Sequence, residues 1–138
     1  MGRIINPESA GKIRSQLTRA IVAAIRELTR QADTGMAARD LVAFILLSLE
    51  TISSSIEPSV EAWEKRDYWV KADKFRMEWA WTERITSNLR QALMDDRWDI
   101  IAKLVGEIAQ KFHKIKVSDH HRMGTPWDGC WNQLLKRS

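Results

Sequence analysis

The chain has 138 residues, 44% of them hydrophobic and 29% charged, with a net charge of +4, three prolines, six glycines and one cysteine. That length supports one core and is short for two. The lone Cys130 excludes an internal disulfide framework and fits a reducing compartment, and the longest uncharged apolar run, Leu41 to Leu49, has nine residues against the roughly 20 of a membrane span.

Alternating apolar runs between turn residues are nearly absent, and apolar positions recur at three and four, so the expected class is all-α. We expect an up-and-down bundle of four main helices, with a long third helix and a short C-terminal one, in one domain over residues 1–138. Met1 to Asn6 lacks the apolar core and cleavage site of an export signal, which points to a cytoplasmic protein outside the membrane.

Asn6 followed by Pro7 is a capping side chain before a residue suited to the first helical turn, and it opens a helix expected over 7–31. Ile13, Leu17, Ala20, Ile21, Ala24, Ile25 and Leu28 form its apolar arc. Lys12, Arg19, Arg26 and Arg30 gather on the other side and, with Arg3, are candidate phosphate-binding residues. Asp33, Thr34 and Gly35 close the segment with turn chemistry.

The second helix, expected over 37–53, is apolar all round between Leu41 and Leu49, so it must be surrounded by the other helices. Ser53, Ser54 and Ser55 interrupt it, and Pro58 biases Glu57 away from helical geometry. From Pro58 to Met94 there is no glycine and no further proline, which predicts one helix over 58–94, about 55 Å long. It carries two apolar stripes. One is Val60, Trp63, Val70, Met77, Trp81, Ile85, Leu89 and Ala92, and the other is Tyr68, Ala72, Phe75, Trp79 and Thr82. A second stripe asks for a second partner, so Tyr68, Phe75, Trp79 and the neighbouring Trp69 are candidate interface residues between two copies of the chain. Seven tryptophans, four of them in this helix, favour the same expectation.

Asp95 and Asp96 stop that helix and cap the next, expected over 96–115 with Trp98, Ile101, Leu104, Val105, Ile108 and Phe112 on one face. A polar connector leads to Thr125, Pro126, Trp127 and Asp128, a capping pattern for a short helix over 126–135.

No constellation specifies catalysis, a metal or a cofactor. Glu-x-x-His, the paired ligand of di-metal bundles, does not occur, and Glu61 with Glu64 has no second acidic pair to face it. His113, Asp119, His120 and His121 lie in or beside the polar connector, without the ligand spacing of a zinc site. Residues 1–31 hold six basic and two acidic residues, 32–96 eight and twelve, and 97–138 eight and four. Both ends are basic and the middle acidic, which suits a polyanion partner at the ends or attraction within an assembly. Three functions are expected, in order: a non-catalytic association module acting as a homodimer, a small nucleic-acid-binding subunit using helix one, and a magnesium-dependent bundle enzyme using Glu61 and Glu64. Lys65, Arg66, Arg76 and Trp69 form a second basic patch, diluted by Glu61, Asp73 and Glu83.

Overall fold

The computed structural model describes residues 7–137; Arg3 and the Asn6 cap lie outside the described residues. The protein is an all-α bundle with no strand among those residues. Its helices are α1 (Pro7–Thr29), α2 (Met36–Ser54), α3 (Ile56–Glu64), α4 (Trp69–Trp79), α5 (Trp81–Met94), α6 (Trp98–Lys111) and α7 (Cys130–Arg137).

The apolar second helix is the centre of the packing. Leu41, Val42, Ala43, Ile45, Leu46 and Leu49 are all buried, and α1, α5 and α7 pack along α2. The short terminal helix is therefore a full neighbour of α2, while α6 packs chiefly on α5. Arg90 on α5 makes a two-pronged bond to Glu50 on α2, at 2.9 and 2.7 Å. Hydrogen bonding to Glu50 raises the Arg90 pKa against a smaller opposing effect of burial.

The expected single helix over 58–94 is three helices. Its first break needs no glycine: Asp67 adopts the left-handed φ of 64°. Its N–H donates to Glu64 O at 3.0 Å, and the Tyr68 N–H reaches back to Trp63 O at 2.9 Å. These are the paired bonds of a Schellman closure. Asp96 ends α5 in the same way, with φ of 56°, its own N–H on Leu93 O and the Arg97 N–H on Ala92 O. Aspartate enters this region more readily than most side chains, so it replaces glycine at both stops. The second interruption is small. Ala80 keeps helical angles, and the Thr82 hydroxyl donates to Trp79 O at 2.8 Å, an added bond of the kind that bends helices.

The expected gap between helices two and three is also smaller than a break. Only Ser55 separates α2 from α3, with φ −85° and ψ −10°. Pro58 falls in the first turn of α3, where an amide without a hydrogen costs little. Together Met36–Glu64 makes a 29-residue stretch whose length and hydropathy match those of a membrane-crossing helix, and half of its most apolar window is buried inside the bundle.

Three other boundaries and faces are corrected. Ile13 is 52% exposed while Arg14 is 6% exposed, so the buried side of α1 begins with Arg14 and Thr18. Within the expected long helix, Val70 and Met77 are exposed, whereas Ala72, Phe75 and Thr82 are buried. The break at Asp67 resets the register, turning part of each stripe inward. Finally, α7 starts only after Gly129, whose φ of 81° is left-handed. Thr125 and Asp128 pair side chain to side chain ahead of it, at 2.8 Å.

That last helix is capped from a distance. Asp40 on α2 accepts the Gly129 N–H at 3.1 Å and the Trp131 N–H at 2.9 Å. A carboxylate there satisfies free donors at the positive end of α7. Next to it, the Arg39 guanidinium lies 5.5 Å from the Trp131 ring centroid and bonds Asp96 at 2.9 Å, which also accepts the Trp98 indole N–H.

Candidate functional site

One cleft of about 910 Å³ opens between α1, α4, the start of α5 and residues 111–116. Its floor is aromatic: Phe75, Trp79, Trp81 and Phe112 line it. Trp79 and Trp81 are stacked at 6.3 Å with an interplanar angle of 22°, and Phe112 meets Trp81 edge-on at 5.5 Å. Two tryptophans two residues apart ordinarily project to different sides of a helix. Here the interruption at Ala80 lies between them.

Among the described residues its walls carry five cations, Arg14, Arg19, Lys111, Lys114 and Lys116, and one acid, Glu78. The Lys111 ammonium sits 5.7 Å from the Trp81 ring centroid, within cation–π range. Arg19, Lys114 and Lys116 are exposed.

Arg14 is the unusual member. Its Nη1 donates to Ser59 Oγ at 3.0 Å and Ser55 Oγ at 3.2 Å, and its Cζ lies 4.5 Å over the Phe75 ring. Ser55 at the α2–α3 junction and Ser59 in α3 thus seat a guanidinium. Burial lowers the Arg14 pKa, and the negative field of Glu78 opposes that. Arginine starts so high that it stays charged. Yet no carboxylate forms an ion pair with it among the described residues, so its positive charge is held by neutral hydroxyls and a ring face. Nη2 points to the wall beside Gly11, where a Cβ on Gly11 would lie 3.8 Å from it.

The four sequence candidates on helix one separate into two pairs. Arg19 lines the cleft and Lys12 is exposed nearby on α1. Arg26 instead bonds Val117 O at 2.8 Å and Ser118 O at 3.3 Å and pairs with Asp119 at 3.3 Å. Arg30 pairs with Glu27 and Asp119. These two guanidiniums pin residues 117–119, directly after the far wall at 111–116.

The interface candidates separate too. Phe75 is buried in the chain's own core, against Trp63 at 4.6 Å. Trp79 is half-buried among Phe75, Trp81 and Phe112. Tyr68 and Trp69 are exposed at the corner between α3 and α4. In the second basic patch Arg76 is neutralised, bonding Glu57 at 2.9 Å and pairing with Asp73 and Glu64, while Lys65 and Arg66 are exposed. Glu61 is exposed, Glu64 faces Arg76 at 3.9 Å, and no three His, Cys, Asp or Glu side chains among the described residues come together as ligands. His113 Nδ1 lies 2.8 Å from Gln110 O, and His121 Nδ1 accepts the Met123 N–H.

Sequence reasoning passes over Arg14, Trp81, Phe112 and the lysines at 111, 114 and 116 as a group. Arg14 carries a signal, since it lies seven residues before Ile21 on the buried face of α1. The lysines carry none, because only tertiary packing sets them opposite that helix. Comparison with known protein families, with curated proteins and with solved structures finds no match to this chain.

Proposed function

We propose that the protein is a non-catalytic binding module whose working surface is this cleft and whose partner there is anionic. The carrying observation is the arrangement, among the described residues, of five cations and a single carboxylate around four aromatic rings. Low-dielectric walls around charges of one sign focus their field on the opening. This reading moves the expected phosphate path from the outer face of α1 to the groove between α1 and residues 111–116. It retains Arg19, adds Arg14 and the three lysines, and gives Arg26 and Arg30 a supporting role. A cytoplasmic setting is part of the proposal, supported by the burial of α2 beneath α1, α5 and α7.

Tryptophan fluorescence tests it, because Trp79 and Trp81 report directly on the floor. Titration with polyanions at low salt should perturb the emission, and binding should weaken steeply as salt is added. Arg19→Glu with Lys114→Glu should weaken binding by roughly tenfold or more at low salt. Saturable binding that ignores both salt and these changes would remove the proposal.

A second reading, self-association, is favoured by one observation: Tyr68, Trp69, Val70 and Met77 are 53 to 78% exposed at one end and along one side of α4. Trp69→Glu is the informative change, because Trp79 belongs to the chain's own ring cluster. Sedimentation should show a dimer at tens of micromolar, as expected for modest interfaces, that Trp69→Glu splits. A monomer at that concentration removes this reading.

A further inference from the structure

We infer that the anionic partner is a single-stranded nucleic acid, held with a base against the Trp79 and Trp81 rings and a phosphate on Arg14. The inference rests on the anion-binding reading of the same cleft and narrows its ligand to one class.

Three observations carry it. First, Arg14 is 6% exposed, with its two serine hydrogen bonds both on Nη1 and Nη2 beside the cleft wall at Gly11. A buried cation seated on neutral hydroxyls has no carboxylate in ion-pair contact among the described residues, only the more distant field of Glu78, and a planar guanidinium presents paired donors that match phosphate oxygens. Second, the cations stand on two walls with rings between them, so a fitting ligand has anionic groups flanking a flat, apolar body. A nucleotide strand repeats that unit, whereas polyphosphate has the charge without the flat body. Third, the rings form the floor and the exposed lysines form the upper wall. A duplex keeps its base faces stacked inside, so it could meet the lysines and leave the rings untouched; an unpaired base can descend to them.

Glu78 fits the same unit. It is the one acid lining the cleft among the described residues, and it is exposed. A single carboxylate can accept from an exocyclic amine or limit the depth at which a phosphate enters, without reversing the sign of the walls.

The test is fluorescence anisotropy and tryptophan quenching with the full chain and four probes at one ionic strength. These are a labelled oligothymidylate, an abasic oligonucleotide of equal length, the duplex of that length and inorganic polyphosphate. Stacking contributes strongly per base, so oligothymidylate should bind about tenfold or more tightly than the abasic strand or the duplex. It should quench tryptophan emission strongly, and polyphosphate should perturb it far less. Lys114→Glu and Lys116→Glu lie on the surface and leave the helices intact. Each should weaken oligothymidylate binding by several-fold with an unchanged circular dichroism spectrum.

Equal affinity for all four probes overturns the inference and leaves a general anion site standing. Tighter binding to polyglutamate, added as a peptide probe, overturns it in favour of an acidic protein partner. Binding of none of them sinks both the inference and the anion-binding reading. Oligothymidylate binding that is unchanged in both lysine variants also overturns it, because the strand would then lie elsewhere.

Discussion

Arg14 shows how one side chain can be placed at some cost to the fold's simplicity. Ser55 and Ser59 hold it, yet each hydroxyl has its own carbonyl acceptor, Ile52 O at 2.6 Å and Ser55 O at 2.9 Å. Removing the guanidinium therefore strands no hydroxyl donor. Arg14→Met should change unfolding free energy by no more than about 1 kcal/mol, because a buried charge without an ionic partner is readily replaced by an apolar chain. The same variant should lose most of its polyanion affinity. Denaturant melts beside binding titrations check both halves, and a large loss of stability would assign Arg14 to the core instead. Cys130 is a simpler case. It is buried, with its thiol directed at Pro126 O, and burial raises its pKa. The folded thiol should therefore resist iodoacetamide at mildly alkaline pH and react quickly in denaturant. With a folded pKa above the unfolded one, the stabilisation is complete below the unfolded value and is lost as pH rises through the folded value. Cys130→Ala should remove that part of the alkaline decline in melting temperature.

Among the elements, the two aspartate-terminated helices explain the largest difference between the expected and the observed fold. Absence of glycine and proline between Ser59 and Met94 predicts one long helix, and Asp67 carries no mark that distinguishes it from a solvated surface acid. Its left-handed backbone is set by the residues after it: once the Tyr68 N–H is bound to Trp63 O, α4 can lay Ala72 and Phe75 on the core. Asp67→Gly should be neutral or stabilising, by up to about 1 kcal/mol, since glycine enters this region freely. Asp67→Val should cost about 1 to 2 kcal/mol. Chemical denaturation of the pair checks the backbone assignment, and the opposite order would contradict it. α2 is legible for the opposite reason. A helix without a polar face has only one place in a bundle, and Leu46 is there with no exposure at all. Leu46→Ala should cost about 2 to 5 kcal/mol, the range for large-to-small changes in a packed interior.

At the scale of the molecule, the alternation of basic, acidic and basic segments acquires a geometry. Residues 14 and 19 come from the first segment, 111 to 116 from the last, and of its twelve acids the middle sends only Glu78 to the lining. Counting charge along the chain identifies the ends as cationic. It does not bring them together, because that depends on α1 and α6 approaching one another in the bundle. The fold class is readable from periodicity alone, and the cleft is not: its rings are divided between two stripes and another helix, and its lysines look like ordinary solvated charges.

The tie between Asp40 and the start of α7 joins residues 89 and 91 positions apart. One flank of the molecule's greasiest helix therefore stays open until a distant stretch of chain arrives to seal it. A fragment cut ahead of Cys130 has no means of closing that flank, and it should be digested by a nonspecific protease far faster than the full chain. In a cell, such a dependence would make truncated copies conspicuous to degradation machinery, because the seal is made by Asp40 together with the buried Cys130 and Leu134 of α7.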